Sequence, residues 1–337
     1  MSFIWKRIIA AVPSLIGVII LTFLLSHALP GDPAAYFAGP AANADSIAEI
    51  RKQLGLDQPL VIQFGRYLFD LAHGNLGNSL TTGQPVLIDL LDRLPASLEL
   101  SAYALAFAAG IAMPLGIWSG VRLNGPVDHA ARVLVTVSAA FPTFFIALLL
   151  VYIFYYLLGI APEPLGRLNE ILYTAPPHIT GAYTIDALLT GNWGVFRAAL
   201  AQLVLPAISL GLFALAPIAR ITRAAMLEAL GSDYVRTARA SGLPTTKILF
   251  TYALRNALLP ISSVLGMIFS FLLGSNVLIE QVFGWQGVGA YAVSAVIASD
   301  YAAVQGFVLM MATLYVLLNL AVDIFATLVD PRVRFEG

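Results

Sequence analysis

From Ala198 to Ala219 the chain reads AALAQLVLPAISLGLFALAPIA, a stretch without a single Asp, Glu, Lys or Arg. About 20 apolar residues cross the hydrocarbon core of a bilayer as a helix, so this stretch is long enough to span a membrane. Five other windows of at least 22 residues are equally free of charge: 8–31, 100–121, 133–162, 256–279 and 301–322. The pattern predicts an all-α integral membrane protein with six transmembrane helices.

The composition supports this prediction. Apolar residues make up 59% of the 337 residues and charged residues 11%, against about 45–50% and about 25% in soluble domains. This excludes an ordinary soluble enzyme, and 18 basic against 19 acidic residues give no polycationic surface for nucleic acid. The chain has no Cys, which excludes disulfides, thiolate nucleophiles and cysteine-ligated metals.

A seventh charge-free run, 281–299, is shorter and contains three Gly, two Gln and two Ser. We predict a re-entrant or surface segment here. With six spans, one side of the membrane receives 1–7, 122–132, 220–255 and 323–337, which hold 12 Lys and Arg in 69 residues. The other side holds 6 in 124 residues, so the positive-inside rule predicts that both termini are cytoplasmic.

The domain organisation follows from these windows. The apolar run after Lys6 and Arg7 is too long for a signal peptide and has no cleavage site, so we expect it to be retained as the first span. The predicted units are an N-terminal segment with the first transmembrane helix (1–31), an external helical subdomain (32–96), a transmembrane domain (97–329) and a cytoplasmic tail (330–337). Within the transmembrane domain the expected spans are about 100–121, 133–158, 198–220, 257–279 and 301–324.

The external subdomain is too long to be a simple connection. Helical periodicity and turn residues predict three short helices in it, at 46–54, 59–71 and 85–94. Two interpretations stay open: a packing cap over the helix bundle, or a docking surface for an external partner.

The cytoplasmic loop 226–256 carries a compact helical pattern. Gly231-Ser232-Asp233 offers an N-cap, residues 234–241 propagate a helix, and Gly242-Leu243-Pro244 ends it. Thr245 or Thr246 is then expected to cap a second helix leading into the fifth span. The pattern predicts a short helix lying across the membrane face. The basic residues of this loop are also explained by topology alone.

Several motifs in this order resemble one known family. The run Asp233-Tyr234-Val235-Arg236-Thr237-Ala238-Arg239-Ala240-Ser241-Gly242 resembles the cytoplasmic loop motif of ABC importer permeases. Together with Leu254-Arg255-Asn256-Ala257-Leu258-Leu259-Pro260, it is similar to the variant in dipeptide, oligopeptide and nickel importer permeases. Further matches are Leu29-Pro30-Gly31-Asp32-Pro33, Leu54-Gly55-Leu56-Asp57-Gln58-Pro59 and Asp330-Pro331-Arg332.

The resemblance implies a type I ABC importer permease fold in a bacterial inner membrane. The implied partners are a second homologous permease, two ABC ATPase subunits and an external substrate-binding protein, with small peptides as the solute. The chain has no Walker A sequence, so ATP and Mg are expected on the ATPase partners, and we predict no catalytic residue, cofactor or metal site in this chain. The implied ATPase-coupling residues are Asp233, Tyr234, Arg236, Thr237, Ala238, Arg239, Ala240, Ser241, Gly242 and Leu243.

Two outward segments depart from the family pattern. Gly284-Trp285-Gln286-Gly287-Val288-Gly289 has Gln286 where proline is usual, and 161–167 differs from the commoner Leu-Pro-x-x-Gly-Arg. The solute therefore stays open between peptides, a nickel chelate, glutathione and another small solute. From other classes, a passive channel or receptor is an alternative, whereas an intramembrane enzyme would require converging ionisable groups that the six windows lack.

A few polar and kink residues near the spans are candidates for the pathway or its gate. Asn319 and Asp323 lie four residues apart and share a helical face. Glu280 and Asp300 bracket the segment 281–299, where they either meet a solute or partner or act as helix caps and solvated charges. Phe141-Pro142 is expected to be a packed kink or a gate in the third span.

Overall fold

The computed structural model describes residues 2–28, 34, 42–53 and 55–329. Within these residues all regular secondary structure is helical, and Asn78 and Pro85 form one isolated bridge. The helices are α1 Ser2–Ala28, α2 Ala44–Gln53, α3 Leu60–Ala72, α4 Val86–Val121, α5 Pro126–Ala140, α6 Thr143–Leu157, α7 Tyr183–Leu189, α8 Trp193–Gly231, α9 Asp233–Ala240, α10 Thr245–Ser275, α11 Val277–Phe283, α12 Val288–Ile297 and α13 Tyr301–Val329.

Four helices in the described part of the chain are long and apolar enough to cross a membrane: α4, α8, α10 and α13. The pair α5 and α6 makes a fifth if the two are one broken span. Helix α1 has 27 residues. Its apolar part, Val12–Leu24, is shorter than the four candidate spans. The predicted all-helical membrane architecture is therefore confirmed, and the count of six spans stays a prediction.

Helix α4 is longer than the predicted second span, because it also contains the helix that was predicted separately at 85–94. The separate helix expected at 85–94 is the first part of a continuous helix of 36 residues, with Pro95 and Pro114 inside it. A proline inside a helix removes one backbone hydrogen bond, which neighbouring helices compensate in a packed membrane bundle. At about 1.5 Å per residue, α4 is about 54 Å long and therefore joins the segment that begins at Val86 to the bundle as one continuous helix.

The region predicted to form the third span contains two helices with a sharp break between them, at the position where a kink was predicted. Helices α5 and α6 meet at 97°, with Phe141 in an extended conformation and Pro142 at the N-cap position of α6. Phe141 is half exposed and stacks on Phe145 at a centroid distance of 5.8 Å, and whether this break acts as a packed kink or as a gate stays a prediction. Proline ends the first helix because the preceding residue is driven out of the helical region.

Helices α4 and α8 form the centre of the bundle. They approach so closely that a Cβ on Gly211 would lie 2.7 Å from the carbonyl oxygen of Ala104. A Cβ on Gly116 would likewise lie 2.8 Å from the carbonyl oxygen of Ala219. Small residues at such crossings let the backbones touch, which is how helices associate where lipid removes the hydrophobic driving force. The largest buried apolar cluster lies along this contact.

The segment 281–299 folds as parts of two short helices, α11 and α12. Gly284 turns the chain between them in the left-handed conformation, at φ 61°. Helix α12 has 10 residues, too few for a transmembrane span. This agrees with the prediction that 281–299 does not form a span.

The two other helices predicted in the external subdomain are present. Helix α2 covers Ala44–Gln53 and α3 covers Leu60–Ala72, within two residues of the predicted bounds at each end. The motif Leu29–Pro33, residue Leu54 and the tail 330–337 with Asp330-Pro331-Arg332 lie outside the described residues.

Candidate functional site

Helix α9 is the short lateral helix that the sequence predicts between the fourth and fifth spans. Ser232 occupies its N-cap position in an extended conformation, φ −71° and ψ 156°. Its hydroxyl donates backwards to the carbonyl of Ala229 at 2.6 Å and makes no cap bond to α9, unlike the expected N-cap. Asp233 lies in the first turn, where a carboxylate interacts favourably with the helix dipole.

The end of α9 has the predicted glycine stop. Gly242 adopts φ +73°, and its N–H donates to the carbonyl of Arg239 at 3.0 Å. The N–H of Leu243 reaches back to the carbonyl of Ala238 at 3.3 Å. These two bonds form a Schellman motif, which favours Gly because the left-handed conformation carries no Cβ penalty there. The chain can therefore reverse at once into α10.

Helix α9 is held to the bundle by one apolar face. Val235 and Ala238, three residues apart, are buried against Ile248 of α10. Leu243 and Tyr252 are partly buried in the same cluster. Val235 was not among the residues predicted for coupling, although its spacing from Ala238 is a signal that could have identified it. Ala238 and Leu243 were among them, and the structure places both on the inward side.

The opposite face of α9 is open. Eight of the ten predicted coupling residues are exposed and form a continuous polar surface. Arg236 and Asp233 form an ion pair at 3.3 Å with side chains that are 78% and 92% exposed. Such a pair contributes little to stability, so both groups remain available to a partner. The exposed residues are Asp233, Tyr234, Arg236, Thr237, Arg239, Ala240, Ser241 and Gly242.

The start of α10 differs from the prediction in one detail. Thr245 or Thr246 was expected to cap the helix, but Thr245 is its first residue, Pro244 takes the N-cap position and no side chain caps it. Proline suits a helix start because its φ is already helical and its missing N–H is not needed there. The first part of α10, Ile248–Leu254, is wound as a π-helix, and this is the stretch that contacts α9.

Glu280 lies in the first turn of α11 and is fully buried. Its carboxylate accepts hydrogen bonds from the hydroxyl of Ser97 at 2.6 Å and from the backbone N–H of Ala290 at 2.8 Å. The second bond caps the first turn of α12, and the first ties this cap to α4. Burial raises the pKa of Glu280 to about 7, although these hydrogen bonds oppose the shift. The interpretation of Glu280 as a solvated charge is wrong, because none of its surface is exposed.

Asp300 has a parallel role at the start of α13. It is buried and accepts from the hydroxyl of Ser79 at 2.6 Å and from the backbone N–H of Leu80 at 2.7 Å. Its second oxygen accepts from the N–H of Ala303 at 3.2 Å, which caps α13. Asp300 therefore ties the loop before α4 to the last helix and is not a solvated charge.

A third buried carboxylate, Glu99, was missed by sequence reasoning. Its oxygens accept from Arg167 at 2.9 Å and from the N–H and hydroxyl of Thr184 at 2.8 and 2.6 Å. Arg167 also donates to the carbonyl of Gly181 at 2.6 Å and lies 3.7 Å from the centroid of the Tyr183 ring. One signal could have identified this carboxylate: Glu99 directly precedes the charge-free window 100–121. Its partner Arg167 lies in the segment 161–167, which departs from the family pattern.

The two segments that depart from the family pattern contact each other. The N–H of Gly166 donates to the carbonyl of Phe283 at 2.9 Å, and a Cβ on Gly166 would lie 2.8 Å from the Gly284 carbonyl oxygen. Trp285 is buried, and its indole N–H donates to the carbonyl of Ala96 at 3.0 Å. Gln286, at the usual proline position, is exposed.

The remaining predicted pathway residues lie apart from this network. Asn319 and Asp323 are half-buried on α13, toward its C-terminal end. Phe141 and Pro142 lie at the break between α5 and α6. Within the described residues, no group of three or more His, Asp or Glu has the arrangement of a metal site.

Comparison with known proteins gives the family. Residues 112–335 match the family described as the binding-protein-dependent transport system inner membrane component, and residues 1–101 match its N-terminal membrane component. The chain belongs to this family. It is thus a membrane subunit of a binding-protein-dependent transport system.

Curated relatives match this inner membrane component over nearly its full length. It is 47% identical over 321 residues to the probable D,D-dipeptide transport system permease protein DdpB of Escherichia coli strain K12, covering 95% of this chain and 94% of that protein. It is 41% identical to the di/tripeptide transport system permease protein DppB of Pseudomonas aeruginosa strain UCBPP-PA14, covering 100% and 99%. It is 37% identical to the dipeptide transport system permease protein DppB of Escherichia coli strain K12, covering 100% and 99%.

Proposed function

We propose that this chain is one of two membrane-spanning subunits of an ATP-driven importer for small peptides, chiefly dipeptides. An external binding protein delivers the solute, and the two permeases enclose the pathway. The names of three relatives at 37–47% identity, all of which are dipeptide or di/tripeptide systems, support the solute class. The family supports dependence on a binding protein.

The proposed topology has six spans with both termini in the cytoplasm. Helix α1 supplies the first span, α5 and α6 together the third, and α4, α8, α10 and α13 the others. The concentration of Lys and Arg in the loops assigned to the cytoplasm supports this orientation. Helices α2 and α3 then belong to an external insertion between the first and second spans.

The observation that carries the proposal is the two-sided character of α9. One face is anchored by Val235 and Ala238 against α10, and the other is exposed and mainly polar. A helix that only enforced membrane topology would need basic residues but not this anchoring. A passive channel or receptor would not need a lateral helix at this position either.

The proposed mechanism uses α9 as a coupling element. Two partner ATPase subunits bind ATP and Mg, and one of them receives the exposed face of α9 in a surface groove. Closure of the ATPases around ATP displaces α9, and α8 and α10, which flank it directly in the chain, transmit the displacement. The bundle then shifts between inward-open and outward-open states, whose populations ATP binding biases.

Pathway residues are assigned with the same logic. Asn319 and Asp323 share a half-buried face of α13 and are proposed to line the exit, because polar groups in spans face the interior or a water-filled cavity. Glu280 is assigned a structural role, since its two carboxylate oxygens accept hydrogen bonds from Ser97 and Ala290 and so connect α4 with α12. Phe141 and Pro142 remain gate candidates at the broken third span.

Purification of the tagged full-length chain in a mild detergent tests this function. A second permease and Walker-motif ATPases should co-purify, and the binding protein loaded with a dipeptide should stimulate ATP hydrolysis by the complex. Binding protein offered with glutathione or with a nickel chelate serves as the matched comparison, and stimulation only by one of these would change the solute. Recovery of the chain with no ATPase would instead favour a passive channel or receptor.

A further inference from the structure

A cavity of about 570 Å³ opens between α4, α5 and α8, apart from α9 and from the outer carboxylates. One end is lined by four charged side chains, Asp128, Arg132, Arg220 and Arg223. The rest is lined mainly by small and apolar residues, among them Ala131, Val135 and Ala219. It thus combines a charged end with an apolar body.

The charged end has a net charge of +2, because one carboxylate faces three guanidinium groups. Asp128 is fully buried and accepts from the Nε of Arg223 at 2.8 Å and from an Nη of Arg132 at 2.8 Å. These hydrogen bonds fix the orientation of both guanidinium groups. Each guanidinium has five N–H donors, so some of them remain available to a ligand. The side chains of Arg132 and Arg223 are 51% and 31% exposed, so they can be reached from outside the protein.

Arg220 is the least committed of the three arginines. It is exposed, and its one hydrogen bond within the described residues is a long contact of 3.4 Å from Nε to the carbonyl of Ala216. Its side chain lines the cavity, and its terminal nitrogens have no protein acceptor within the described residues. A guanidinium of this kind is suited to bidentate binding of a phosphate.

A second, independent feature points to a ligand. The side chain of Ser119 lines the cavity and is 1% exposed, yet its hydroxyl has no hydrogen-bond partner among the described residues. A buried hydroxyl without a hydrogen-bond partner is destabilising, so such groups usually have a partner when the protein is fully assembled. An anionic oxygen held by the arginines would supply the missing acceptor.

We propose that this cavity binds the phosphate headgroup of an anionic phospholipid. The arginines and Ser119 hold the phosphate, and an acyl chain lies along the apolar body of the cavity. A membrane lipid is favoured over a free phosphate because α4 and α8 are candidate spans and α5 belongs to the bent pair that passes the same test. Basic pockets between membrane helices are suited to anionic headgroups.

Native mass spectrometry of the full-length chain with its co-purifying subunits tests this site. The complex is exchanged into nanodiscs of phosphatidylcholine with phosphatidylglycerol, and the phosphatidylglycerol retained after release is counted. Arg220→Gln should weaken retention about fivefold, since one basic residue near a lipid surface contributes about 1 kcal/mol. Arg122→Gln is the matched control, because Arg122 is exposed at the end of α4 and does not line the cavity.

Ser119→Ala tests whether the lipid is held by specific hydrogen bonds in the cavity or only by the positive charge of the region. The substitution changes no charge and removes a hydroxyl that the described protein does not use, so the fold should be kept while retention falls. Equal losses for Arg220→Gln and Arg122→Gln, or no loss for either, would overturn the proposal. Displacement of the lipid by inorganic phosphate at similar concentration would also overturn the proposal, because the ligand would then be a soluble anion. A partner subunit that covers the cavity and excludes lipid would overturn it too.

Discussion

The guanidinium of Arg167 lies 2.9 Å from the carboxylate of Glu99, and this ion pair joins the loop between α6 and α7 to α4. Both side chains are almost completely buried, at 10% and 2% exposure. Thr184 donates twice to the same carboxylate, so the two charges are neutralised and hydrogen-bonded. The ion pair holds the segment around Arg167 against α4, and the neighbouring Gly166 donates its N–H to the carbonyl of Phe283 at 2.9 Å.

We expect Glu99→Gln to destabilise the protein by about 3 kcal/mol, because removal of one partner leaves a buried charge on Arg167. Thermal unfolding in detergent measures the change. Glu170→Gln is the control, since Glu170 is an exposed carboxylate in the same outer segment. If both variants unfold at the same temperature, the pair does not hold this region together.

Gly242→Val should uncouple ATP hydrolysis from transport. The position requires φ +73°, a conformation that costs an ordinary side chain about 1–2 kcal/mol, whereas no atom stands within 4 Å of an added Cβ. The effect is therefore conformational and not a clash. Gly242→Asn is the matched variant, since Asn accepts the left-handed conformation. Solute-stimulated ATPase activity should be lost in Gly242→Val and kept in Gly242→Asn. Equal activity of the two variants would contradict this account of the turn.

Gly266 allows α10 and α13 to touch. A Cβ at this position would overlap a methyl group of Val322, so Gly266→Ala should separate the helices and lower the unfolding temperature. Val322→Ala in the same chain should restore it. Gly274→Ala is the control on the same helix, because nothing lies within 4 Å of the added methyl, and Ala stabilises a helix by about 1 kcal/mol relative to Gly. An unchanged Gly266→Ala protein would show that this contact is not tight.

Glu280 should make stability depend on pH. Burial raises its pKa from 4.5 to about 7, so the folded protein binds more protons than the unfolded chain between these values. Its contribution is complete below pH 4.5 and is lost as the pH rises through about 7. The loss is on the order of 3 kcal/mol.

Unfolding temperatures of the wild type and Glu280→Gln should be compared between pH 5 and 8. Gln does not titrate, so the variant should lack the part of the decline that the carboxylate causes. Parallel curves for the two proteins would show that Glu280 does not titrate in this range.

Much of this architecture follows from the sequence, because the exclusion of charge from a bilayer leaves long and unambiguous windows. The short helix α9, its stop at Gly242 and helices α2 and α3 follow from local turn and cap chemistry. The buried carboxylates do not, since Glu99, Glu280 and Asp300 find their partners at Thr184, Ser97 and Ser79, far along the chain. Local patterns also cannot tell that α4 continues through Pro95 while Pro142 starts a new helix, because neighbouring helices decide the outcome.

The central claim, that the exposed face of α9 meets an ATPase, is tested most directly by photo-crosslinking in the assembled complex. A photoreactive amino acid is placed at Thr237, on the exposed face, or at Phe250, which is exposed on α10. The account predicts an ATPase adduct from position 237 that changes in yield when ATP is added, and none from position 250. An active complex that gives no ATPase adduct from position 237 would contradict it.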